Sequence, residues 1–262
     1  MDGAFTDGAE WYDALGANPG RLEREGPFLL GALGRAGGRR VLDTACGTGL
    51  HALWLAERGA SVRAADLSPG MVAVARARRA HPEVVYGVGD MRLPPPGPWD
   101  LILCLGNSLS LLPAGGDARL FFQNTAAVLA PEGRLVVQVL NYALPAAAKP
   151  RARTAEAVVD GVPVRADKRF APENGRTRLE ITYTAQHAWG TETLREEALL
   201  RHWSRAFLEE AARAAGLAVE ARQGGFDEAP FDSEHSPDLI LTFRGARSSS
   251  LTHPTIRPES SP

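Results

Sequence analysis

The stretch Val41-Leu42-Asp43-Thr44-Ala45-Cys46-Gly47-Thr48-Gly49 constrains this 262-residue chain more than any other. It reads as a short buried strand ending in a glycine turn, with a helix opening behind it. Gly47 and Gly49 carry no Cβ, so the turn can be tight and its backbone can approach a ligand closely. The helix from Leu50 turns free N–H groups and its positive dipole end toward the same spot. Asp43 stands at the mouth, where a carboxylate accepts from donors. Such a mouth suits a ligand with both a cationic amino group and an anionic carboxylate. A dinucleotide turn would read G-x-G-x-x-G. Here the third position is Ala52, which some dinucleotide proteins allow, but Asp43 would repel a bridging pyrophosphate.

The rest of the unit repeats the pattern. Residues 41–44 form strand one and 50–58 a helix closed by Gly59. Strand two, 61–65, ends at Asp66, where a carboxylate can hold both hydroxyls of a ribose. Ser68-Pro69 supplies the cap and first position of the next helix, 71–79. Its Arg76, Arg78 and Arg79 read as a solvated charged face. Strand three, 84–88, runs into Gly89-Asp90-Met91. Asp90 can accept from an adenine amino group, and Met91 can lie on the ring. Strand four, 99–105, ends at Gly106-Asn107-Ser108, a helix follows over 118–129, and strand five, 133–140, ends at Asn141-Tyr142. Alternating strands and helices predict a doubly wound, mainly parallel α/β sheet. Its ligands sit at the carboxyl ends of the strands. Asp43, Asp66, Asp90, Asn107 and Asn141 all fall there.

The N-terminal residues 1–37 form a helical lid segment, with Trp11 and Tyr12, the turn Asn18-Pro19-Gly20 and a helix over 22–33. Tyr12 and Arg21 can point back into the mouth. The α/β domain takes residues 38–144 and 203–244. Between its parts, 145–202 alternates apolar and polar residues, with turns at Gly161 and Asn174-Gly175. This is an antiparallel insertion that covers the mouth, led in by a basic, Pro-containing linker over 145–153. A helix over 205–215 and strands over 217–222 and 238–243 finish the sheet. Residues 245–262 are Ser, Pro and charge, and read as disordered.

A formal net charge of −2 argues against a nucleic-acid partner. The two cysteines, Cys46 and Cys104, give neither a disulfide framework nor a metal spacing. They read as buried hydrophobes in a reducing compartment. No run is long enough to span a membrane. The first ten residues carry no export signal, so a cytoplasmic protein is expected.

In these motifs and their order the chain resembles the class I S-adenosylmethionine-dependent methyltransferases, from about Trp11 to Phe243. Within them it looks most like the glycine and glycine/sarcosine N-methyltransferases. Arg21 ahead of Leu29-Leu30-Gly31, the run Leu103-Cys104-Leu105-Gly106-Asn107-Ser108 and Asn141-Tyr142 carry that likeness. The resemblance implies a Rossmann-like seven-stranded sheet whose last strand is antiparallel. It implies S-adenosyl-L-methionine as cofactor. Arg21 would bind the methionine carboxylate, Ala45 and Gly47 the amino group, Asp66 the ribose, and Asp90 and Met91 the adenine. Leu105 would line the site, with Tyr12, Asp43, Gly49, Leu67 and Met71 in the cofactor-facing set. In the glycine enzymes an arginine before Asn-Tyr grips the substrate carboxylate; here it is Leu140. The histidine after Gly-Asn-Ser is Leu111, and the acid after Asn-Tyr is Ala143. Glycine is therefore a poor fit, and a different small acceptor is expected.

Expected acceptor contacts are Asn107, Asn141, Tyr142 and Tyr12. Among His51, His187, His202 and His235, His51 is the base nearest the mouth. The expected reaction is methyl transfer to an N or O atom of a small molecule, with a homo-oligomer left open. The competing readings are a nucleic-acid or protein methyltransferase, for which the basic stretch 149–153 speaks, and a non-catalytic cofactor-binding module.

Overall fold

The computed structural model describes residues 5–16 and 19–245. Two helices lead, α1 (Ala9–Gly16) and α2 (Pro19–Ala36). There follow β1 (Arg40–Asp43), α3 (Leu50–Ala56), β2 (Ser61–Asp66), α4 (Pro69–Arg78), β3 (Val84–Val88), β4 (Trp99–Cys104), α5 (Gly115–Val128) and β5 (Leu129–Leu140). Ser68 caps α4 by accepting from the Met71 amide, with Pro69 in the first turn. All but the first residue of β4 are buried, as a strand covered on both faces requires.

Then come four long strands, β6 (Arg151–Val159), β7 (Val162–Glu173), β8 (Arg176–His187) and β9 (Gly190–Arg201). The chain returns through α6 (Arg205–Ala214), β10 (Leu217–Gln223) and β11 (Asp238–Gly245).

The main sheet has the order β10-β11-β5-β4-β1-β2-β3. Strands β1 to β5 pair in parallel, and β11 is antiparallel to both β5 and β10. One face packs on α2, α3 and α4 through Phe28, Leu29, Leu55, Val72 and Leu103. The other packs on α5 and α6 through Phe121, Phe122, Leu208 and Phe243. This is the doubly wound, seven-stranded sheet the sequence predicts.

The second sheet, β6-β7-β8-β9, is antiparallel throughout. Its first two hairpins close on Asp160-Gly161 and Asn174-Gly175, all four with positive φ, as tight two-residue loops need. Three details differ from the sequence reading. Helix α2 starts at Pro19, where a turn was expected; Asn18 lies outside the described residues. The insertion has four strands, because residues expected as a linker already alternate from Arg151 onward. Gly245 closes β11, and the rest of the tail, 246–262, lies outside the described residues.

Helix α1 ties the two sheets together. Its Trp11 packs on Tyr183 of the cap sheet, with ring centroids 5.9 Å apart. Buried Asp13 accepts from Thr48 Oγ1 at 2.6 Å and pairs with Arg78 and Arg79 at 3.3 and 2.7 Å. Arg76 donates to the Tyr86 carbonyl. These arginines are therefore clamps rather than the solvated face read from the sequence.

Candidate active site

A cavity of about 1260 Å³ opens between the carboxyl ends of the main strands and the inner face of the cap sheet. The glycine turn forms its floor. Gly47 adopts φ +54°, and a Cβ there would meet nothing within 4 Å. Its amide donates to Asp66 Oδ2 at 2.8 Å, while the Ser68 amide donates to Oδ1 at 2.9 Å. Burial raises the Asp66 carboxyl, against the pull of those amides. Each oxygen keeps a lone pair for a further donor, as a ribose diol requires.

Asp43 is 1% exposed. Its Oδ1 takes only a long contact of 3.4 Å from the Ala45 amide, and Oδ2 is buried without a partner. Burial pushes its carboxyl up to about 6, with His51 pulling the other way. An orphaned buried carboxylate oxygen fits an incoming ammonium. Asp43 itself lies behind the lining formed by Thr44, Ala45 and Gly47. Gly49 departs from its expected role. It does not line the cavity; its φ is +86°, and a Cβ would stand 2.7 Å from the Tyr86 ring. The glycine is needed for that packing.

The leading helices supply a polar wall. Arg21 Nε donates to Glu25 Oε1 at 2.9 Å, and His51 Nε2 lies 2.6 Å from Glu25 Oε2. Burial pushes Glu25 up, but the His51 hydrogen bond and the Arg21 charge outweigh it and hold the carboxyl low. Glu25 went unread in the sequence; its i,i+4 spacing from Arg21 was the available signal. His51 lines the cavity inside this pair, so its Nε2 is committed. Burial raises the Tyr12 phenol, and its ring lies 5.3 Å from Lys168 Nζ.

At the other end Leu67, Met71, Asp90, Met91 and Leu105 all line the cavity. Asp90 is not free as the sequence reading assumed. Arg92 grips both its oxygens at 2.6–3.0 Å and also reaches Asp117. This holds the Asp90 carboxyl below its usual range.

Asn107 stands where floor meets cap, in a left-handed conformation with φ +65°. A network fixes it. Its amide donates to Gln138 Oε1 at 3.0 Å, its Nδ2 to Tyr142 Oη at 2.8 Å, and its Oδ1 accepts from Ser110 Oγ and the Leu140 amide. Gln138 Nε2 in turn donates to Asp238 Oδ1 at 2.7 Å. Asp238 lines the cavity, and burial raises its carboxyl. Neither Gln138 nor Asp238 was singled out from sequence.

Asn141 and Tyr142 do not line the cavity. Asn141 is buried and donates to the Ser233 and Ser236 carbonyls, so it fastens the loop before β11. Tyr142 holds Asn107 and Ser110 from behind, its ring stacked on His202 at 4.2 Å. His202 bonds Thr177, His187 pairs with Glu192, and exposed His235 pairs with Asp232; none lines the cavity. Cys46 and Cys104 are buried free thiols, and burial pushes Cys104 up to about 12. Among the described residues no cluster suits a metal ion, and no helix is long and apolar enough to cross a membrane.

The cap sheet supplies the roof, with Phe170, Leu179, Ile181 and Leu200 between Lys168 and Arg153 on one side and Arg201 on the other.

A family profile described as "Methyltransferase domain" matches residues 41–133. Rat (Rattus norvegicus) glycine N-methyltransferase is 35% identical over 148 residues, 50% of this chain and 50% of that protein. The chain thus matches about half the length of that relative. A Streptomyces fradiae dTDP-3-amino-3,6-dideoxy-alpha-D-glucopyranose N,N-dimethyltransferase is 31% identical over 225 residues, covering 83% of this chain and 86% of that one. The fold is shared with an S-adenosylmethionine-dependent methyltransferase from Clostridium acetobutylicum ATCC 824, at TM-score 0.74 and 18% identity, covering 90% and 96% of the two chains. With a floor that fits the sulfonium amino acid and a relative matched over most of both lengths, the chain belongs to the S-adenosylmethionine-dependent methyltransferases.

Proposed function

We propose that this protein methylates an amine nitrogen of a small acceptor. The observation that carries the reading is a single cavity joining the glycine-turn floor to the cap, with Asn107 at the junction. Its volume exceeds the roughly 300–1,000 Å³ of a one-ligand pocket, leaving space for cofactor and acceptor together. The relatives' names point to nitrogen: one acts on glycine, another on an amino sugar.

S-adenosylmethionine, when bound, supplies a methyl group on a cationic sulfur. The acceptor nitrogen forms the new N–C bond in line as the C–S bond breaks. The residues of this chain hold the two partners and keep water out. Alignment of this kind can contribute on the order of 7–11 kcal/mol. Asp66 would take the ribose, the Gly47 turn the ammonium with the Asp43 charge behind it, and Arg21 the carboxylate. Asn107 would orient the acceptor nitrogen. An ammonium cannot attack, so a proton must leave first. Asp238, raised by burial and linked to Asn107 through Gln138, is the proton acceptor this wall offers.

Glycine remains a poor acceptor. Leu140 faces Asp238 in the β5–β11 pairing, so a substrate carboxylate there would meet a leucine and another carboxylate. Part of the basic stretch that favoured a nucleic acid is taken up by the edge strand β6, whose exposed Arg153 borders the cavity. The two buried thiols support a reducing, cytoplasmic setting.

The test is incubation with methyl-labelled donor and a panel of small amines, glycine included, with products identified by mass. A methylated amine formed one for one with S-adenosylhomocysteine is expected, and glycine should stay unmodified. Cofactor binding without turnover of any amine would sink the reading.

A further inference from the structure

We propose that the acceptor carries an anionic group besides its amine, and that Lys168 and Arg153 of the cap sheet hold it. This rests on the small-acceptor reading above and adds a substrate class to it: amines bearing a carboxylate or a phosphoryl group.

Arg153 and Lys168 are direct cross-strand partners in the β6–β7 pairing, and both line the cavity. Like charges placed opposite each other destabilise a sheet unless something answers them. Among the described residues neither makes an ion pair. On the outer face Arg165 pairs with Asp167 and Glu156, and Arg178 with Glu173 and Glu197, while the exposed Arg169 and Arg195 are left to solvent. What sets Arg153 and Lys168 apart is that two cations stand directly opposite each other and both line the cavity.

None of the nearby acids among the described residues pairs with them. Glu196 lies on the same inner face, two strands from Lys168; its Oε1 accepts from the Gly8 amide, and its Oε2 is buried without a hydrogen-bond partner rather than bonded to Lys168. Asp13 of α1 is taken by Thr48, Arg78 and Arg79. Asp66 is bonded to the glycine turn. Below Lys168 lies the ring face of Tyr12, which steadies an ammonium without cancelling its charge. Burial lowers the Lys168 ammonium, and the Arg153 charge adds to that. An anion between the two cations would relieve both effects. Lys168 is a point charge and Arg153 a planar fork, a combination that takes carboxylate and phosphoryl oxygens alike. The far wall, with Asp238 and Asn107, is left for the amine. The two walls together therefore fit an acceptor with opposite charges at its two ends.

The test uses the full chain saturated with S-adenosylhomocysteine, titrated by calorimetry with inorganic pyrophosphate in one arm and succinate in the other. At least one anion should bind with a roughly millimolar or better Kd. The arm that binds tells phosphoryl from carboxylate. Lys168→Ala and Arg153→Ala should each weaken that binding roughly tenfold or more, and Lys168→Arg should retain most of it. Affinity for S-adenosylhomocysteine serves as the folding check for each variant. Failure of both anions to bind the loaded wild type, or equal binding by wild type and alanine variants, overturns the proposal. Failure of the wild type to bind S-adenosylhomocysteine would instead overturn the methyltransfer reading itself.

Discussion

On the sheet side of the cavity, carboxylates stand at the strand ends, and backbone amides or arginines hold them: Asp66 by Gly47 and Ser68, Asp90 by Arg92. On the cap side, Lys168 and Arg153 line the inner face, and no acid among the described residues pairs with them. Asp66 and Asp90 are thereby structural bonds of the floor, while Asp43 keeps a buried oxygen without a partner. Among the described residues the cap cations make no ion pair, and Lys168 rests only on the Tyr12 ring. The proposed roles follow this split: a cofactor held by the floor and an acceptor met by the cap.

The sharpest division lies within the floor itself, between its two glycines. Gly49→Ala forces a left-handed residue to carry a Cβ and drives it into the Tyr86 ring. Strain and overpacking together should destabilise the fold by about 2–4 kcal/mol. Thermal unfolding should show Tm falling by roughly 5–15 °C. Gly47→Ala has only the backbone strain, since its Cβ faces open cavity. It should lose less stability but more cofactor affinity. Equal losses of stability in the two variants would erase the distinction between a packing glycine and a ligand-facing one.

Asp66→Ala comes next. The carboxylate fixes the Gly47 turn and, on the proposed reading, takes the ribose, so its loss should weaken S-adenosylhomocysteine binding roughly tenfold or more. Calorimetry with unchanged affinity would remove Asp66 from the ribose site.

Asp43 gives an effect with a definite sign. Held near 6 rather than about 4, it binds a proton more readily folded than unfolded. Its contribution to the stability of the ligand-free protein is therefore full below pH 4, is lost as pH rises toward 6, and is flat above. At neutral pH the desolvated charge costs the fold on the order of 3 kcal/mol. Asp43→Asn should thus raise Tm at pH 7 and weaken cofactor binding. In the wild type, affinity should fall below about pH 6 as the carboxylate neutralises and stops attracting the ammonium. An affinity that is level from pH 7 to 5 would mean that Asp43 does not face the amino group.

The floor was legible in the sequence because local rules write it. A strand, a glycine turn and a helix follow one another within twenty residues, and acids mark where strands stop. Asp43, Gly47 and Asp66 could be placed without tertiary contacts. Gly49 was misread because its reason lies in Tyr86, thirty-seven residues on. Asn141 and Tyr142 were correctly put at a strand end, but which way each side chain turns depends on the loop before β11 and on His202. Asp238 and Gln138 were missed because they meet only when β11 pairs antiparallel with β5. Lys168 looked like any polar position in an alternating strand. Which face of that strand turns inward is settled by α1 packing on the cap, a contact that no local pattern encodes.

The smallest expected effect tests whether the two faces of the cap really differ. On the outer face the Arg165 guanidinium beside Asp167 holds that carboxyl down to about 2. So large a shift would suggest a strong bond, but both side chains stand in water, where such pairs contribute little and salt screens them. Arg165→Ala should therefore move Tm by no more than about 2 °C. It should also leave pyrophosphate or succinate affinity unaltered, because Arg165 points away from the cavity that Lys168 lines. A loss of anion binding in Arg165→Ala as large as in Lys168→Ala would mean that the whole sheet acts as a diffuse positive field. The cross-strand pair on the inner face would then have no special claim on the acceptor.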